Sequence, residues 1–483
     1  MSPAAVAVLD IGKTHSRLVV VGDGRRSLLE LARANRSREG PPYRHFDAGG
    51  LWSWIVDSLR SVATRFDIRA VIPCTHGSAL AVIDEEQLVL PVMDYTTEPP
   101  AEIVAEYRDL APGFAETGSL TAPMSLTAAC QLLHQARLFP DAFARARFIL
   151  PYAQYWAWLL SGEAASEVTS LGAQTHLWNP TARRFSSLAE AEGWASRFPP
   201  LRPAWERLGP VRREIAAATG LASDCAVLCG IHDSSASYLA YLSGGRTRDT
   251  VLSTGTWIIG FDPLQPIERL DPARDTASNS TVDGWPLASS RYMGGQEFTH
   301  LLNGASPGAA TPASLQAVIA SGRLALPSFV AWGGPYRGCR GRIVGSAPSD
   351  EAQRAALAAL YTALATNRCL DLLGSREGVI IEGPFAKNAI YRRVLAALRP
   401  DQPLSIATAP GGSALGASLL YRWKDSADRI PLALEPVPAE LIAGLDDYAA
   451  RWREMAEQVF ASTASGALHD PPPRSSPTRG EEV

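Results

Sequence analysis

Short apolar runs alternate with amphipathic stretches along most of the chain. Val6-Ala7-Val8-Leu9 passes into the polar segment Asp10-Ile11-Gly12-Lys13-Thr14-His15-Ser16-Arg17 and becomes apolar again over residues 18–21. In the second half, Val251-Leu252 leads into Ser253-Thr254-Gly255-Thr256 and out through Trp257-Ile258-Ile259. Both read as β-hairpins whose turns carry hydroxyls and a glycine. Residues 69–72 and 79–83 read as further strands, and apolar spacing of three and four predicts helices over 51–66 and 125–138. A strand over 226–230 feeds Ile231-His232-Asp233 and a small-residue helix over 234–242. Ser243-Gly244-Gly245 follows, and the domain boundary is placed there. Beyond it come a long Ala/Leu-rich helix over 350–373, a buried strand over 379–381 ending in Glu382-Gly383-Pro384, and a helix over 390–398. Gly411-Gly412-Ser413 then precedes another small-residue helix. Alternating strands and helices argue an α/β protein, with domains over 1–243 and 244–461 and a disordered Pro/Ser/Gly-rich tail over 462–483.

Composition narrows the classes. A chain of 483 residues, 46% hydrophobic and 19% charged, has room for two to three domains with substantial cores. A net charge of −4 gives no electrostatic case for nucleic acid or an anionic membrane. Cys225 and Cys229 lack a second pair or a nearby His that would complete a zinc set, so the cysteines read as reduced core thiols of a cytoplasmic protein. The most apolar region, 148–160, contains Pro151 and Gln154 and is too short and polar to span a bilayer. The chain enters a strand almost at once, with no charged segment leading into a long apolar stretch.

Glycine lets a backbone approach a ligand closely, and turn N–H groups with Ser/Thr hydroxyls make an anion cradle. One such turn in each half suggests a duplicated domain holding a polyphosphate between its halves. Gly12-Lys13-Thr14 is not a P-loop: Ala7 stands where that motif needs a glycine, and strand-turn-strand replaces strand-loop-helix.

The segments 10–17, 230–233, 253–257, 382–388 and 411–417, in this order, resemble the FGGY family of carbohydrate kinases. The Ser-Thr-Gly-Thr-Trp run is similar to the rhamnulokinase and fuculokinase side of that family. The resemblance implies two ribonuclease-H-like, actin-like domains with a cleft between them, ATP and Mg²⁺, and a small-molecule sugar. It implies Asp233 as general base; the alternative is a helix N-cap. Asp10 would hold the metal through water; the alternative is an Asp bonding its own turn. Gly12, Lys13, Thr14 and Arg17 would touch phosphate with Thr254, Gly255 and Thr256, against the alternatives of a surface charge and a plain tight turn. Gly383, Lys387, Asn388, Gly411 and Gly412 would meet the nucleotide, although loop punctuation explains the glycines equally. His76, Gly77, Asp94, Glu167 and His232 would line the sugar site with Asp233, since a polyol needs planar donors and acceptors; for either histidine the alternative is a structural contact, and His232 could instead orient the base. Thr169 and Gln174 lie in the same polar stretch, and Gly294-Gly295-Gln296-Glu297 would border the cleft. The chain departs from the family pattern at Lys13, where a Thr is usual, and at Pro384, where a glycine run is usual. L-rhamnulose or L-fuculose is favoured over D-xylulose or glycerol. An actin/Hsp70-like ATPase or a sugar-responsive regulator is the rival reading, and a homodimer stays open.

Overall fold

The computed structural model describes residues 4–23, 26–121, 125–330, 333–408, 412–424 and 432–466. Two large sheets carry the architecture, and they repeat one plan. In the first, the strand order is Arg207–Pro210, Ala226–Leu228, Asp67–Thr75, Ala4–Ile11, His15–Gly22, Ser27–Ala34. In the second it is Leu434–Val437, Leu404–Ala407, Val379–Glu382, Thr250–Thr254, Ile258–Asp262, Pro286–Tyr292, Thr276–Ser280. Each has an antiparallel edge, a parallel centre, and the expected hairpin on the far side. The parallel central strands are buried on both faces, which is why they read as continuous apolar runs.

Helix ends follow local chemistry. The predicted helix over 51–66 is Ala48–Ala63, begun one turn earlier because Asp47 accepts the Gly50 N–H at 3.3 Å. The long helix is Glu351–Leu372, capped by Asp350 accepting from Gln353 N at 2.8 Å. Residues 79–83 do form a strand, Leu80–Ile83, but it belongs to a separate three-stranded sheet. The last helix, Leu445–Gly466, runs past residue 461 into the expected tail, and residues 467–483 lie outside the described residues. Among the described residues no helix is long and apolar enough to cross a membrane.

A helix pair and a hairpin are among the contacts that join the halves. Helix Asp233–Ser243 of the first half packs on helix Ser413–Ser418 of the second. They approach so closely that a Cβ on Gly416 would stand 1.8 Å from the Ala236 carbonyl oxygen. The hairpin Thr276–Ser280/Pro286–Tyr292 also reaches over the first half. Ser278 N donates to Gly118 O at 2.8 Å, Arg183 donates to Asp283 O at 3.2 Å, and Val282 is buried in an apolar cluster built from both halves.

Candidate functional site

The first turn is closed by Gly12 N donating to His15 O at 3.0 Å. Asn35 fixes it from the neighbouring strand: its side-chain N–H donates to Gly12 O and its backbone N–H to Thr14 O, both at 2.7 Å. Thr14 and His15 are exposed at the tip. Asp10 and Arg17 face one another in the antiparallel register, and their side chains form an ion pair. Ser413, from the second half, donates to the same carboxylate oxygen of Asp10 at 2.8 Å. Burial raises the Asp10 pKa and the Asp233 charge pushes it the same way, while Arg17 and Ser413 work against both.

Asp233 stands where the strand of Ala226–Leu228 breaks at Gly230. That glycine has φ 87°, and a Cβ there would lie 2.5 Å from Pro73 O. Ile231–His232 then re-pairs with Asp67–Thr75, and the chain turns into helix Asp233–Ser243. The N-cap position is taken by His232, so Asp233 is the first helical residue and its carboxylate is not spent on a cap. The carboxylate accepts the Ser234 hydroxyl at 3.1 Å and lies 3.2 Å from His232 Nε2. Its side chain keeps 30% of its surface exposed, enough for a ligand to reach it. Burial raises its pKa, partly offset by His76. Burial also holds His232 neutral at pH 7, with a pKa lowered to about 4.

His76 directly follows the strand Asp67–Thr75 and sits among the rings of Phe46, Tyr95 and Tyr152, at centroid distances of 5.2, 5.4 and 5.1 Å. A carbonyl only accepts, so Nδ1–H must be the donor in the 2.8 Å bond to Gly77 O. Burial lowers the His76 pKa, which leaves Nε2 as a free acceptor. Gly77 makes room for this group: a Cβ there would come within 3.0 Å of His232 Nε2.

Several expected contacts change character. Glu167 is fully buried, and its carboxylate caps helix Val168–Leu171 by accepting from Thr169 N, Thr169 Oγ1, Ser170 N and Ser170 Oγ. It therefore acts from behind: the Thr169 hydroxyl it holds in turn accepts the His232 backbone N–H at 3.1 Å. Gln174 donates to Leu120 O and is likewise structural. Asp94 is fully buried too, and both its oxygens are saturated by protein donors, so it is not a sugar ligand. Lys13, expected on phosphate, ion-pairs with Asp94 and stands over the rings of Phe46 and Tyr95.

In the second half, Gly255 N donates to Trp257 O at 2.8 Å to close the matching turn. The Thr254 hydroxyl does not face a ligand: it donates to Glu382 O and accepts from Phe385 N at 3.2 Å, stitching the turn to the Glu382-Gly383-Pro384 loop. Gly383 serves the same seam, with φ 85° and space for a Cβ blocked by Thr254 O at 2.0 Å. Below the turn opens a cavity of about 820 Å³. Gly255, Thr256, Gln296, Lys387 and Asn388 give it a polar rim, and Phe298, Phe385 and Ile390 give it apolar walls. Gly295 borders it, whereas Glu297 is turned into the core, accepting from Ser328 Oγ at 2.9 Å and from Tyr361. Asn388 also caps helix Ala389–Ala397 by accepting from Tyr391 N at 3.0 Å. Gly412 precedes helix Ser413–Ser418 away from the cavity wall, and Gly411 lies outside the described residues.

Sequence reasoning passed over Asn35, Phe46, Tyr95 and Ser413. Only the serine had a local signal, at the start of a small-residue helix already singled out. It also passed over the cavity wall from Phe298 to Ala310, a stretch that carries no motif.

Residues 5–240 match the family model described as FGGY family of carbohydrate kinases, N-terminal domain, and residues 246–429 match Carbohydrate kinase FGGY, C-terminal domain. An L-fuculokinase from Haemophilus influenzae is 23% identical over 277 residues, 53% of this chain and 57% of that protein. The chain thus spans little more than half the length of the curated relatives it matches. Among solved structures, a carbohydrate kinase from Novosphingobium aromaticivorans is 36% identical with a TM-score of 0.87, covering 95% of this chain and 99% of that one. A xylulose kinase from Rhodospirillum rubrum, 19% identical with a TM-score of 0.79 over 95% and 100% of the two chains, shares the fold.

Proposed function

The chain belongs to the FGGY family of carbohydrate kinases, and on that premise we propose that it transfers the γ-phosphate of ATP to a hydroxyl of a ketose or deoxyketose, L-fuculose or L-rhamnulose being favoured. The observation that carries the reading is the Asp233 carboxylate. It is reachable, raised in pKa by burial, next to His232, and at the seam where Asp10 meets Ser413 of the other half. The relatives named as fuculokinases support the choice of sugar.

In this reading residues 1–243 bind sugar and residues 244–461 bind nucleotide. The nucleoside occupies the cavity beside Lys387 and Asn388, whose apolar walls suit a flat base. The polyphosphate runs past Gly255 and Thr256 toward Gly12, Thr14 and Arg17. Phosphoryl transfer asks for alignment and charge neutralisation more than covalent chemistry. Asp233 takes the proton of the attacking hydroxyl; the hydroxyl oxygen bonds to the γ-phosphorus, and the bond to the β-phosphate oxygen breaks to release ADP. Neutral His232 orients the base and His76 Nε2 accepts from a second sugar hydroxyl.

Asp10 fits a magnesium ion held mainly by phosphate and water. Its Oδ2 is taken by Arg17 and Ser413, leaving Oδ1 for a bound water, and a cation would offset the cost of burying the carboxylate. Bound there, the metal would neutralise phosphate charge. The six cysteines are free and buried, in keeping with a reducing, cytoplasmic setting.

The test is ADP release from Mg-ATP across L-fuculose, L-rhamnulose, D-xylulose and glycerol. Release that depends on one of them is expected. Hydrolysis that ignores all four would favour the ATPase reading instead.

A further inference from the structure

Lys13 is the one charged side chain of the first turn that leaves the turn. It crosses to Asp94, whose own surroundings decide what the lysine can do. Asp94 Oδ1 accepts from Thr96 N at 2.9 Å and Thr96 Oγ1 at 2.8 Å as well as from Lys13. Its Oδ2 accepts from Ser37 Oγ at 2.5 Å and Arg44 Nε at 3.3 Å. A carboxylate offers about four lone-pair sites, and these are used. Asp94 therefore has nothing left for a ligand, and serves as a fixed anchor. The ammonium it anchors has three N–H groups, and beyond the ion pair with Asp94 its Nζ is buried with no hydrogen-bond partner. Phe46 and Tyr95 flank it, with ring centroids 4.6 and 4.8 Å from Nζ. Those same two rings pack on His76, so Lys13 Nζ and His76 share two aromatic walls. His76 in turn feels the Asp233 charge. A buried donor without a hydrogen-bond partner and an imidazole acceptor thus lie against the same two rings, the acceptor within the field of the base.

We propose that Lys13 is a specificity-determining residue on the sugar side: its Nζ, aimed by Asp94, donates to a sugar hydroxyl other than the one phosphorylated. The proposal rests on the kinase reading above. Local charge favours a neutral polyol over a sugar acid, because Lys13 pairs with Asp94 and Arg44 with Asp94 and Glu39.

The test uses whichever of the four sugars wild-type protein turns over best, with its single-deoxy analogues, and compares K13M with wild type. A hydrogen bond from a charged donor corresponds to roughly a 10- to 100-fold change. Expected is a KM for sugar raised by about that factor with the KM for ATP within about twofold. One deoxy analogue, rejected by wild type, should be used by K13M as well as the parent sugar. A raised KM for ATP with an unchanged KM for sugar returns Lys13 to the phosphate and overturns the proposal. Equal losses on every analogue make the ion pair structural and overturn it too. Should K13M melt below the assay temperature, K13R keeps the pair with Asp94 but shifts the donor, and the same split between the two KM values is required. Wild-type turnover on none of the four sugars would bring down the kinase reading and this proposal together. Retained discrimination in K13M would bring down this proposal alone.

Discussion

The turns at Gly12 and Gly255 occupy the same place in two sheets of the same strand order, yet they differ in chemistry. The first is charged: Asp10, Lys13 and Arg17 all lie within it, and the loop beside it supplies His76. The second is neutral. Its threonine is consumed in holding the neighbouring loop, and that loop opens on a cavity rather than on a cluster of titratable groups. The helix that follows carries the same contrast. In the first half it begins with Asp233, and in the second with Ser413, which donates to Asp10. A duplicated frame therefore divides its labour: ionisable groups gather on one side, and backbone surface with an apolar pocket on the other.

The sharpest break of this contrast is D233N. As loss of a general base it should lower kcat by about 10²- to 10⁴-fold in the ADP-release assay. Raised pKa adds a signature. The base must be deprotonated, so kcat/KM should fall with decreasing pH along a limb displaced upward from the ordinary Asp value of 3.8. A flat acid profile would count against the assignment.

Next comes the seam of the neutral side. G383A forces a Cβ toward Thr254 O at a φ of 85°. It should cost more than about 1 kcal/mol of stability and raise the KM for ATP more than the KM for sugar. Thermal melts and steady-state kinetics read the two effects.

Glu167 tests the support behind the charged side. Burial pushes its pKa up to about 7 from 4.5, so the folded state holds this proton more tightly than the unfolded chain. Its contribution to stability is complete below pH 4.5 and is lost as pH rises to about 7. E167Q should flatten that part of the melting-temperature profile. The smallest effect expected is from S413A, which removes one bond to a charged group, about 1.5 kcal/mol or roughly tenfold in activity.

Much of this contrast was readable along the chain, because strands, turns and glycines are local features. The paired hairpins, the strand leading to Asp233 and the helix after Gly412 all follow from runs of a few residues. Destinations of long side chains were not readable. Lys13 looked like a phosphate ligand by its neighbours in sequence, but Asp94, 81 positions on, claims it. Asp94 looked like a sugar ligand by its resemblance to a family position, and Glu167 by its place in a polar stretch. Tertiary packing buried both and surrounded them with donors. Ser413 is 403 residues from the carboxylate it serves, and only the packing of two helices across the halves brings them together.

The division of labour is tested most directly by calorimetric titration of Mg-ATP into the D233N protein. The account predicts a dissociation constant within about twofold of wild type, since the altered group belongs to the sugar side. Binding weakened tenfold or more would put Asp233 in the nucleotide site and contradict it.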